Sequence, residues 1–256
     1  MLRTLHLTLF LIVVCGSAFS QGSYRLQGIA DPANGHFRQT PDGGYLLSGS
    51  YGQSGQFAGM MVVKMAADYS VEWSKVLQSD NGHLDYGIDA IPTPDGGYAV
   101  LGATDVEPWK NPVLAKMDYC LIKLDAQGSI QWGKRYGGHR TDLPYELSLT
   151  DNGGFLISGY ASRGTDVLGN PKPYLVKVDS LGEMEWSFLQ QNFSFNITLA
   201  LLAHPSFQMK GIPTQDGGYF YAISSGEQGF FVKLDSNGQV IWQKSTPMGG
   251  SWMGGE

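Results

Sequence analysis

The chain has 256 residues, a formal charge of −6 at neutral pH and a pI near 5.3. This acidic balance argues against a nucleic-acid partner and against binding to an anionic membrane surface, because both favour basic proteins. Glycine is abundant, with 35 residues, and no Gly-X-Y rhythm accompanies it, which excludes collagen and indicates many tight turns. Length alone allows one or two domains.

Residues 1–20 predict a secretory signal peptide that is absent from the mature protein. Arg3 supplies a positive charge, a mostly apolar stretch covers Leu5–Val14, and small residues precede Gln21. The stretch is too short to span a membrane as a helix, and no later apolar run is long enough, so we expect no membrane insertion. We expect export with cleavage near Gln21. The alternative, a lipid anchor on Cys15, normally requires a small residue before the cysteine, where this chain has valine.

The mature part, residues 21–256, repeats one phrase four times. Each copy begins with an Asp-Gly-Gly or Asn-Gly-Gly turn, whose second glycines are Gly44, Gly97, Gly154 and Gly218. An apolar run then ends in a lysine, at Lys64, Lys123, Lys177 and Lys233. Nine residues after the lysine, a tryptophan closes each copy, at Trp73, Trp132, Trp186 and Trp242. A repeat of this length, rich in glycine turns and β-forming residues, predicts a single all-β domain, either a β-propeller or another stacked array.

Each copy divides into four short strands, a to d, and no segment predicts a helix. In the second copy these strands are expected near residues 87–91, 98–102, 119–124 and 129–136. Runs of five to eight residues bounded by Gly, Asp and Pro are typical of strands and too short for helices. The resulting four-stranded antiparallel blades are expected at about 24–78, 79–136, 137–190 and 191–247.

The recurrent large and charged residues are interpreted as structural. A tryptophan in every copy favours packing of each sheet on the next over stacking on a ligand, although both remain open. A catalytic lysine is needed only once, so four copies indicate structural ion pairs with nearby carboxylates. Removal of the leader leaves Cys120 as the only cysteine, which excludes an intramolecular disulfide and, within an apolar strand, favours a packing role.

The sequence of residues 124–132, Leu-Asp-Ala-Gln-Gly-Ser-Ile-Gln-Trp, resembles the tryptophan-docking motif of quinoprotein-type (PQQ-like) propellers. Those repeats place the glycine one residue later. Segments 178–186 and 234–242 show the same shorter form, whereas the first copy has Ala66 for the aspartate and Tyr69 for the glycine. The whole unit is similar to the Asp-Gly-Gly-Tyr repeats of large secreted bacterial surface proteins. This resemblance implies an exported β-propeller and is nearly silent on biochemistry. No quinone or calcium site can be located, so no cofactor is predicted.

The connections between strands predict where a binding site lies. Antiparallel order puts the a–b and c–d turns at one end of each sheet and the b–c and d–a connections at the other. Only the second group varies in length, and we call its end the variable-loop face. Binding groups concentrate on loops carried by a rigid scaffold. The candidate binding residues on this face are His83, Tyr86, Trp109, Arg140, Tyr145 and Arg163.

Three functions remain open from the sequence. The first is a secreted or cell-surface scaffold that binds an extracellular protein or glycan without catalysis. The second is an extracellular polysaccharide hydrolase or lyase, with Asp85, His139 and Asp142 as the first catalytic candidates. These residues also fit an ordinary role in solvated loops, no common enzyme motif is present, and no metal site is predicted. The third is a structural spacer.

The four copies can close a ring or form an open array. No strand is shared between the two ends of the repeat region to latch a ring, which favours an open or shortened array. An open array exposes the faces of its terminal sheets, so self-association through these faces is a further expectation.

Overall fold

The computed structural model describes residues 36–53, 56–78, 85–105, 117–138, 141–162, 172–191, 208–224 and 228–247. These residues form sixteen β-strands and no helix, which confirms the predicted all-β class. Accordingly, the described part of the chain contains no helix that could cross a membrane. The predicted signal peptide and its cleavage site lie outside the described residues.

The strands form four consecutive groups of four. Sheet 1 contains β1 (His36–Gln39), β2 (Tyr45–Gln53), β3 (Gln56–Met65) and β4 (Val71–Leu77). Sheet 2 contains β5 (Asp85–Pro92), β6 (Tyr98–Asp105), β7 (Met117–Leu124) and β8 (Ile130–Tyr136). Sheet 3 contains β9 (Thr141–Leu149), β10 (Phe155–Ser162), β11 (Lys172–Val178) and β12 (Met184–Leu189). Sheet 4 contains β13 (Gln208–Pro213), β14 (Tyr219–Ser224), β15 (Gln228–Leu234) and β16 (Val240–Pro247).

Within each sheet the strands pair antiparallel in sequence order, as an up-and-down meander. A single parallel bridge between Gly59 and Tyr86 also joins sheet 1 to sheet 2. The a–b and c–d turns of every sheet therefore lie at one end, which we call the turn end. The predicted division of each repeat into four antiparallel strands is thus found in the structure.

The exposure of a strand depends on whether sheets lie on both of its sides. Strand β10 in sheet 3 is buried along its whole length, because sheet 2 packs on one face and sheet 4 on the other. Strand β16, the last strand of sheet 4, is exposed from Val240 to Thr246. Strands buried on both faces read as continuous apolar runs rather than as alternating patterns. The core therefore contains three layers of side chains between consecutive sheets, and a further buried cluster of Met61, Val63 and Met65 lies on the outer face of sheet 1.

The a–b turns are tight because their glycines meet two separate steric demands. In sheet 2, Gly96 has φ of +81°, a conformation that L side chains rarely adopt. A Cβ on the following Gly97 would lie 2.2 Å from the carbonyl oxygen of Leu124 and 2.5 Å from Lys123 Nζ. The carboxylate of Asp95 accepts a hydrogen bond from the Gly97 amide at 3.2 Å. The turn thus packs directly against the end of the third strand.

The repeated lysines tie this turn end together. Lys123 Nζ donates to Asp95 Oδ2 at 2.8 Å, to the Leu124 carbonyl oxygen at 3.0 Å and to Gln131 Oε1 at 3.1 Å. Its side chain therefore joins the a–b turn to strands c and d. The equivalent ion pairs elsewhere are Lys64 with Asp42 and Glu72, Lys177 with Glu185, and Lys233 with Asp216. Such charge-assisted bonds are stronger than neutral ones and hold the turn end rigid.

Three of the four tryptophans pack on the next sheet. Trp73, Trp132 and Trp186 each lie against the c–d turn glycine of the following sheet, where a Cβ would approach the indole to between 2.7 and 3.0 Å. The indole nitrogens of Trp73 and Trp186 donate to backbone carbonyls of those turns, at 3.2 Å and 3.0 Å. Trp242 in the last sheet is 39 % exposed. The recurrent tryptophan therefore has two environments, an internal one and a terminal one.

Strand β7 carries a cysteine, Cys120. Cys120 lies in the middle of the strand opposite Gly102 and packs beside the core between sheets 1 and 2. Burial raises the pKa of its thiol to about 12, and the nearby Asp85 acts in the same direction. The thiolate is the nucleophilic form of cysteine, so the raised pKa lowers the reactivity of this half-buried residue at neutral pH.

Candidate functional site

The first strands of all four sheets line one cavity. Its volume is about 630 Å³, and β1, β5, β9 and β13 all contribute to its wall. The lining residues are Arg38, Gln39, Ile91, Pro92, Glu146, Leu147, Ser148, Leu149, Lys210, Ile212 and Pro213. All but Lys210, the third of six residues in β13, lie in the half of their strand that leads to the a–b turn. We call this space the central cavity.

A buried carboxylate behind the cavity wall links three sheets. Asp89 is fully buried in β5 and follows a register shift that leaves Ile88 without a partner opposite it. Arg38 of sheet 1 binds Asp89 through two nitrogens, Nε to Oδ1 at 3.1 Å and Nη2 to Oδ2 at 2.7 Å. The Leu147 amide of sheet 3 donates to Asp89 Oδ2 at 3.3 Å. One side chain therefore connects sheets 1, 2 and 3.

The charge of Asp89 is stabilised by its neighbours. Burial acts to raise the pKa of this carboxyl, but hydrogen bonds and charges from His36 and Arg38 outweigh burial and lower the pKa. His36 Nδ1 lies 3.3 Å from Asp89 Oδ1. In return, the hydrogen bond to Asp89 raises the pKa of Arg38 despite partial burial. Asp89 is thus an ionised anchor rather than a proton donor at neutral pH.

A second ion pair crosses from sheet 3 to sheet 4. Lys210 Nζ lies 2.8 Å from Glu146 Oε1, with the lysine side chain 62 % and the glutamate side chain 12 % exposed. In the same two strands, Ser148 Oγ donates to the Gly211 carbonyl oxygen at 2.8 Å. The negative charge of Glu146 also contributes to the raised pKa of Arg38. The charged groups around the cavity therefore form a network of two contacts, one joining sheets 1 to 3 through Asp89 and one joining sheets 3 and 4 through Glu146.

Four of the five residues of this network occupy one position of the repeat. His36, Asp89, Glu146 and Lys210 each lie eight residues before the second glycine of their copy. Each pairs with the residue four positions after that glycine, namely Ser48, Leu101, Ser158 and Ala222. Two residues further along the first strands come Arg38, Ile91, Ser148 and Ile212, which all line the cavity. The repeat thus places one titratable residue from each sheet next to a second position, polar in two sheets and aliphatic in two, that lines the cavity.

The central cavity is poorly equipped for acid–base chemistry. Both carboxylates of the network are engaged, Asp89 with Arg38 and His36, and Glu146 with Lys210. The exposed ammonium of Lys210 and the aliphatic wall of Ile91, Leu149 and Ile212 offer one charged and one apolar contact surface. Among the described residues, no group of three His, Cys, Asp or Glu side chains could hold a metal ion.

The catalytic candidates from the sequence occupy buried positions at strand beginnings. Asp85 begins β5 opposite Thr104 and is 2 % exposed, and Asp142 in β9 lies opposite Ala161 and is fully buried. Both make interactions within the protein. The third candidate, His139, lies outside the described residues. Neither described carboxylate lines the central cavity.

Two of the six binding candidates are described. Tyr86 and Tyr145 are half-buried on the first strands of sheets 2 and 3, and both make interactions within the protein. Burial raises the pKa of Tyr145, and Glu146 beside it acts in the same direction. The other four candidates lie outside the described residues: His83, Trp109, Arg140 and Arg163.

Sequence reasoning missed His36, Arg38, Asp89, Glu146 and Lys210. A signal was available, because alignment of the copies on their second glycines puts two carboxylates, a histidine and a lysine at one repeat position. A structural position normally repeats its residue type, as the lysines and tryptophans do. A repeat position with changing charge therefore indicates contacts between copies.

Comparison with known proteins adds little. The chain matches no protein-family model and no curated protein. Among solved structures, it is similar to the endo-arabinase from Bacteroides thetaiotaomicron, with 12 % sequence identity and a TM-score of 0.42. The alignment covers 82 % of this chain and 73 % of the endo-arabinase chain. Function must therefore be argued from the residues of this chain.

Proposed function

We propose that the protein is an exported β-propeller-type module that binds an extracellular protein or glycan without catalysis, through its variable-loop face. The four meander sheets with their first strands around one cavity support the propeller arrangement. The repeats and the predicted leader support export.

The observation that carries the proposal is the contrast between the two ends of the sheets. At the turn end, the same hydrogen bonds recur in every copy, including Thr93 N to Gly97 O at 2.9 Å and Thr150 N to Gly154 O at 2.9 Å. Buried lysines then clamp these turns to the neighbouring strands. A rigid end of constant structure supports connections of varying length at the opposite end, as in other scaffolds that bind through loops.

The engagement of the carboxylates favours binding over hydrolysis. A glycoside hydrolase uses two carboxyl groups that reach the scissile bond from either side. In this chain, Asp89 is held by Arg38, and Asp85 and Asp142 are buried with interactions of their own. These carboxylates therefore serve the protein's own packing.

The proposal is tested with the mature chain from Gln21 onward. The protein is applied to a glycan array and, in parallel, incubated with extracellular polysaccharides while new reducing ends and unsaturated products are measured. We expect binding without turnover. Turnover that is lost in Asp85→Asn or Asp142→Asn, with unchanged thermal melting, would establish the hydrolase or lyase alternative instead.

Two sets of variants locate the binding surface. Trp109→Ala and Arg140→Ala alter the variable-loop face, and each should weaken binding at least about tenfold if it removes one central contact. Lys210→Met alters the central cavity and should leave binding unchanged. The opposite pattern would move the site to the cavity, and no ligand-induced rise in melting temperature for any probe would favour a spacer.

A further inference from the structure

The guanidinium of Arg38 has hydrogen-bond donors left for a ligand in the central cavity. Its Nε and Nη2 atoms donate to Asp89 at 3.1 Å and 2.7 Å, which occupies one edge of the planar group. A guanidinium has N–H donors on a second edge as well, formed by Nη1 and Nη2. Within the described ranges Nη1 has no partner, and 33 % of the side chain is exposed in the cavity wall. Arg38 can therefore hold Asp89 and a second acceptor at once.

Lys210 adds a second cation with spare donors. Its Nζ lies 2.8 Å from Glu146 Oε1, and 62 % of the lysine side chain is exposed. An ammonium group has more N–H donors than one carboxylate oxygen can use. The charge of Glu146 also acts on Arg38, so both cations lie near the same carboxylate in the cavity wall.

The charges that face the cavity favour a ligand with one negative charge. Among the described lining residues, Arg38 and Lys210 are the cations, and Glu146 is the one anion, with 12 % of its side chain exposed. Asp89 is fully buried behind the wall. A singly charged acceptor meets the remaining donors, whereas a second negative charge would be repelled by Glu146 and Asp89. A carboxylate also matches the planar N–H pair of the guanidinium.

Much of the remaining wall is aliphatic. Ile91, Leu149 and Ile212 line the cavity together with Pro92 and Pro213, and none of the described lining residues is aromatic. Such a wall takes an apolar group out of water without offering it hydrogen bonds. The cavity volume of about 630 Å³ lies within the range of ~300–1,000 Å³ that is typical of small-molecule sites. The wall therefore favours a small ligand with an aliphatic body.

The charged and the aliphatic parts of the wall lie at different heights along the first strands. Glu146 and Lys210 precede the second glycine of their copies by eight residues. Pro92, Leu149 and Pro213 precede it by five. A bound carboxylate group would therefore lie towards the middle of the strands, and the aliphatic body would lie towards the turn end.

We propose that the central cavity is a second binding site, separate from the variable-loop face, for a small monocarboxylate with an aliphatic body. The carboxylate accepts hydrogen bonds from the second edge of Arg38 and from Lys210. The body packs on Leu149 and Ile212. A fatty acid and the carboxyl end of a short apolar peptide share this chemistry.

Titration of the mature chain with two carboxylates and a matched alcohol tests the proposal. The probes are octanoate, N-acetyl-leucyl-leucine and octanol, and binding is followed by calorimetry. We expect saturable binding of at least one carboxylate, with octanol at least about tenfold weaker because it lacks the charged acceptor. Binding of only one carboxylate supports the site and identifies an alkyl chain or a peptide end as the body. Octanol that binds as tightly, inorganic phosphate that displaces octanoate at equal concentration, or no saturable binding of either carboxylate would overturn the proposal.

Variants place the bound carboxylate in the cavity. Lys210→Met keeps the length of an exposed side chain and should weaken octanoate or peptide binding about fivefold or more. Lys244→Met is the matched control, because Lys244 is exposed on β16 and does not line the cavity. Ile212→Asn should weaken both probes through loss of apolar contact, and Trp109→Ala on the variable-loop face should bind them as the wild type does. Equal affinities of the wild type and a Lys210→Met protein with unchanged thermal melting would rule out this site.

Discussion

The internal interfaces and the two terminal faces are built from the same repeat and behave differently. Between sheets, each indole is held by a glycine turn, an aromatic ring and, for Trp73 and Trp186, a backbone carbonyl. At the ends, Trp242 is partly exposed, whereas the outer face of sheet 1 carries the buried residues Met61, Val63 and Met65 beside the stacked rings of Tyr45 and Tyr69. The stabilising contacts of the repeat therefore lie largely between neighbouring copies, as expected for quasi-one-dimensional arrays.

The largest expected difference concerns the tryptophans. Trp186→Ala should lower the free energy of unfolding by about 3 kcal/mol, because it removes a packed indole and its hydrogen bond. Trp242→Ala, with the same chemistry at the terminal face, should cost less than about 1 kcal/mol. Urea titrations of both variants measure the contrast. Equal losses would mean that the internal docking contributes nothing specific.

Two glycines with the same backbone conformation separate the cost of a strained turn from the cost of displacing an indole. Gly182 and Gly153 have φ of 78° and 76°, but a Cβ would meet Trp132 at 2.8 Å only at Gly182, while the space at Gly153 is open. Gly153→Ala should cost about 1 kcal/mol from the left-handed backbone alone. Gly182→Ala should cost about 2 kcal/mol more, because the indole must move. If chemical denaturation gave the same midpoint for both, the glycine would not be needed for tryptophan docking.

The lysines test whether the ion pairs of the turn end contribute equally to stability in an internal sheet and in the last sheet. Lys177 is fully buried, whereas Lys233 of the terminal sheet is 12 % exposed. Lys177→Met should destabilise the protein by about 2 kcal/mol, through loss of its bonds to Glu185 and the Val178 carbonyl oxygen. Lys233→Met should have about half that effect, since water replaces part of the lost bonding. Thermal melting ranks the two, and a larger loss for Lys233→Met would contradict this order.

The smallest effect is expected from acid. A hydrogen bond from Thr40 and the contact with Lys64 lower the pKa of Asp42 to about 2, and the pKa of Asp95 is also lowered to about 2, by Lys123 against the effect of burial. A carboxyl whose pKa is lower in the folded state stabilises that state at pH values above its ordinary pKa of 3.8. This contribution is lost as the pH falls towards the lowered pKa. Melting temperature should therefore decline between about pH 4 and pH 2.

Asp95→Asn provides the control for this acid effect. The variant should be less stable than the wild type at pH 6 and should show a shallower decline on acidification. An identical slope for the two proteins would assign the acid effect to other carboxylates, with Asp89 as the next to test, because its pKa is also lowered.

Much of the fold could be predicted from the sequence because the same pattern of turns and strands occurs four times. Strand order, turns and the absence of helix in the described residues follow from glycine turns and short β-forming runs. The candidate site was harder, because its residues change from copy to copy. His36, Asp89, Glu146 and Lys210 share a position only after alignment on the turn glycines, and their contacts cross between sheets.

The difference between the terminal faces was visible in the sequence but not interpretable there. Tyr69 departs from the glycine of the turn motif. Its stacking on Tyr45, which explains why a non-glycine residue is kept at positive φ, is seen only in the structure. Likewise, Trp242 has the same local sequence context as the other tryptophans. What distinguishes it is the lack of a following sheet among the described residues, a property of the whole array that no local pattern carries.

Cys120 provides a chemical probe for the opening of sheet 2. Because burial raises the pKa of its thiol, alkylating reagents at neutral pH should modify Cys120 faster in molecules that have transiently opened. When reclosing is faster than alkylation, the rate of labelling then reports the fraction of molecules in which β7 is detached from its neighbours.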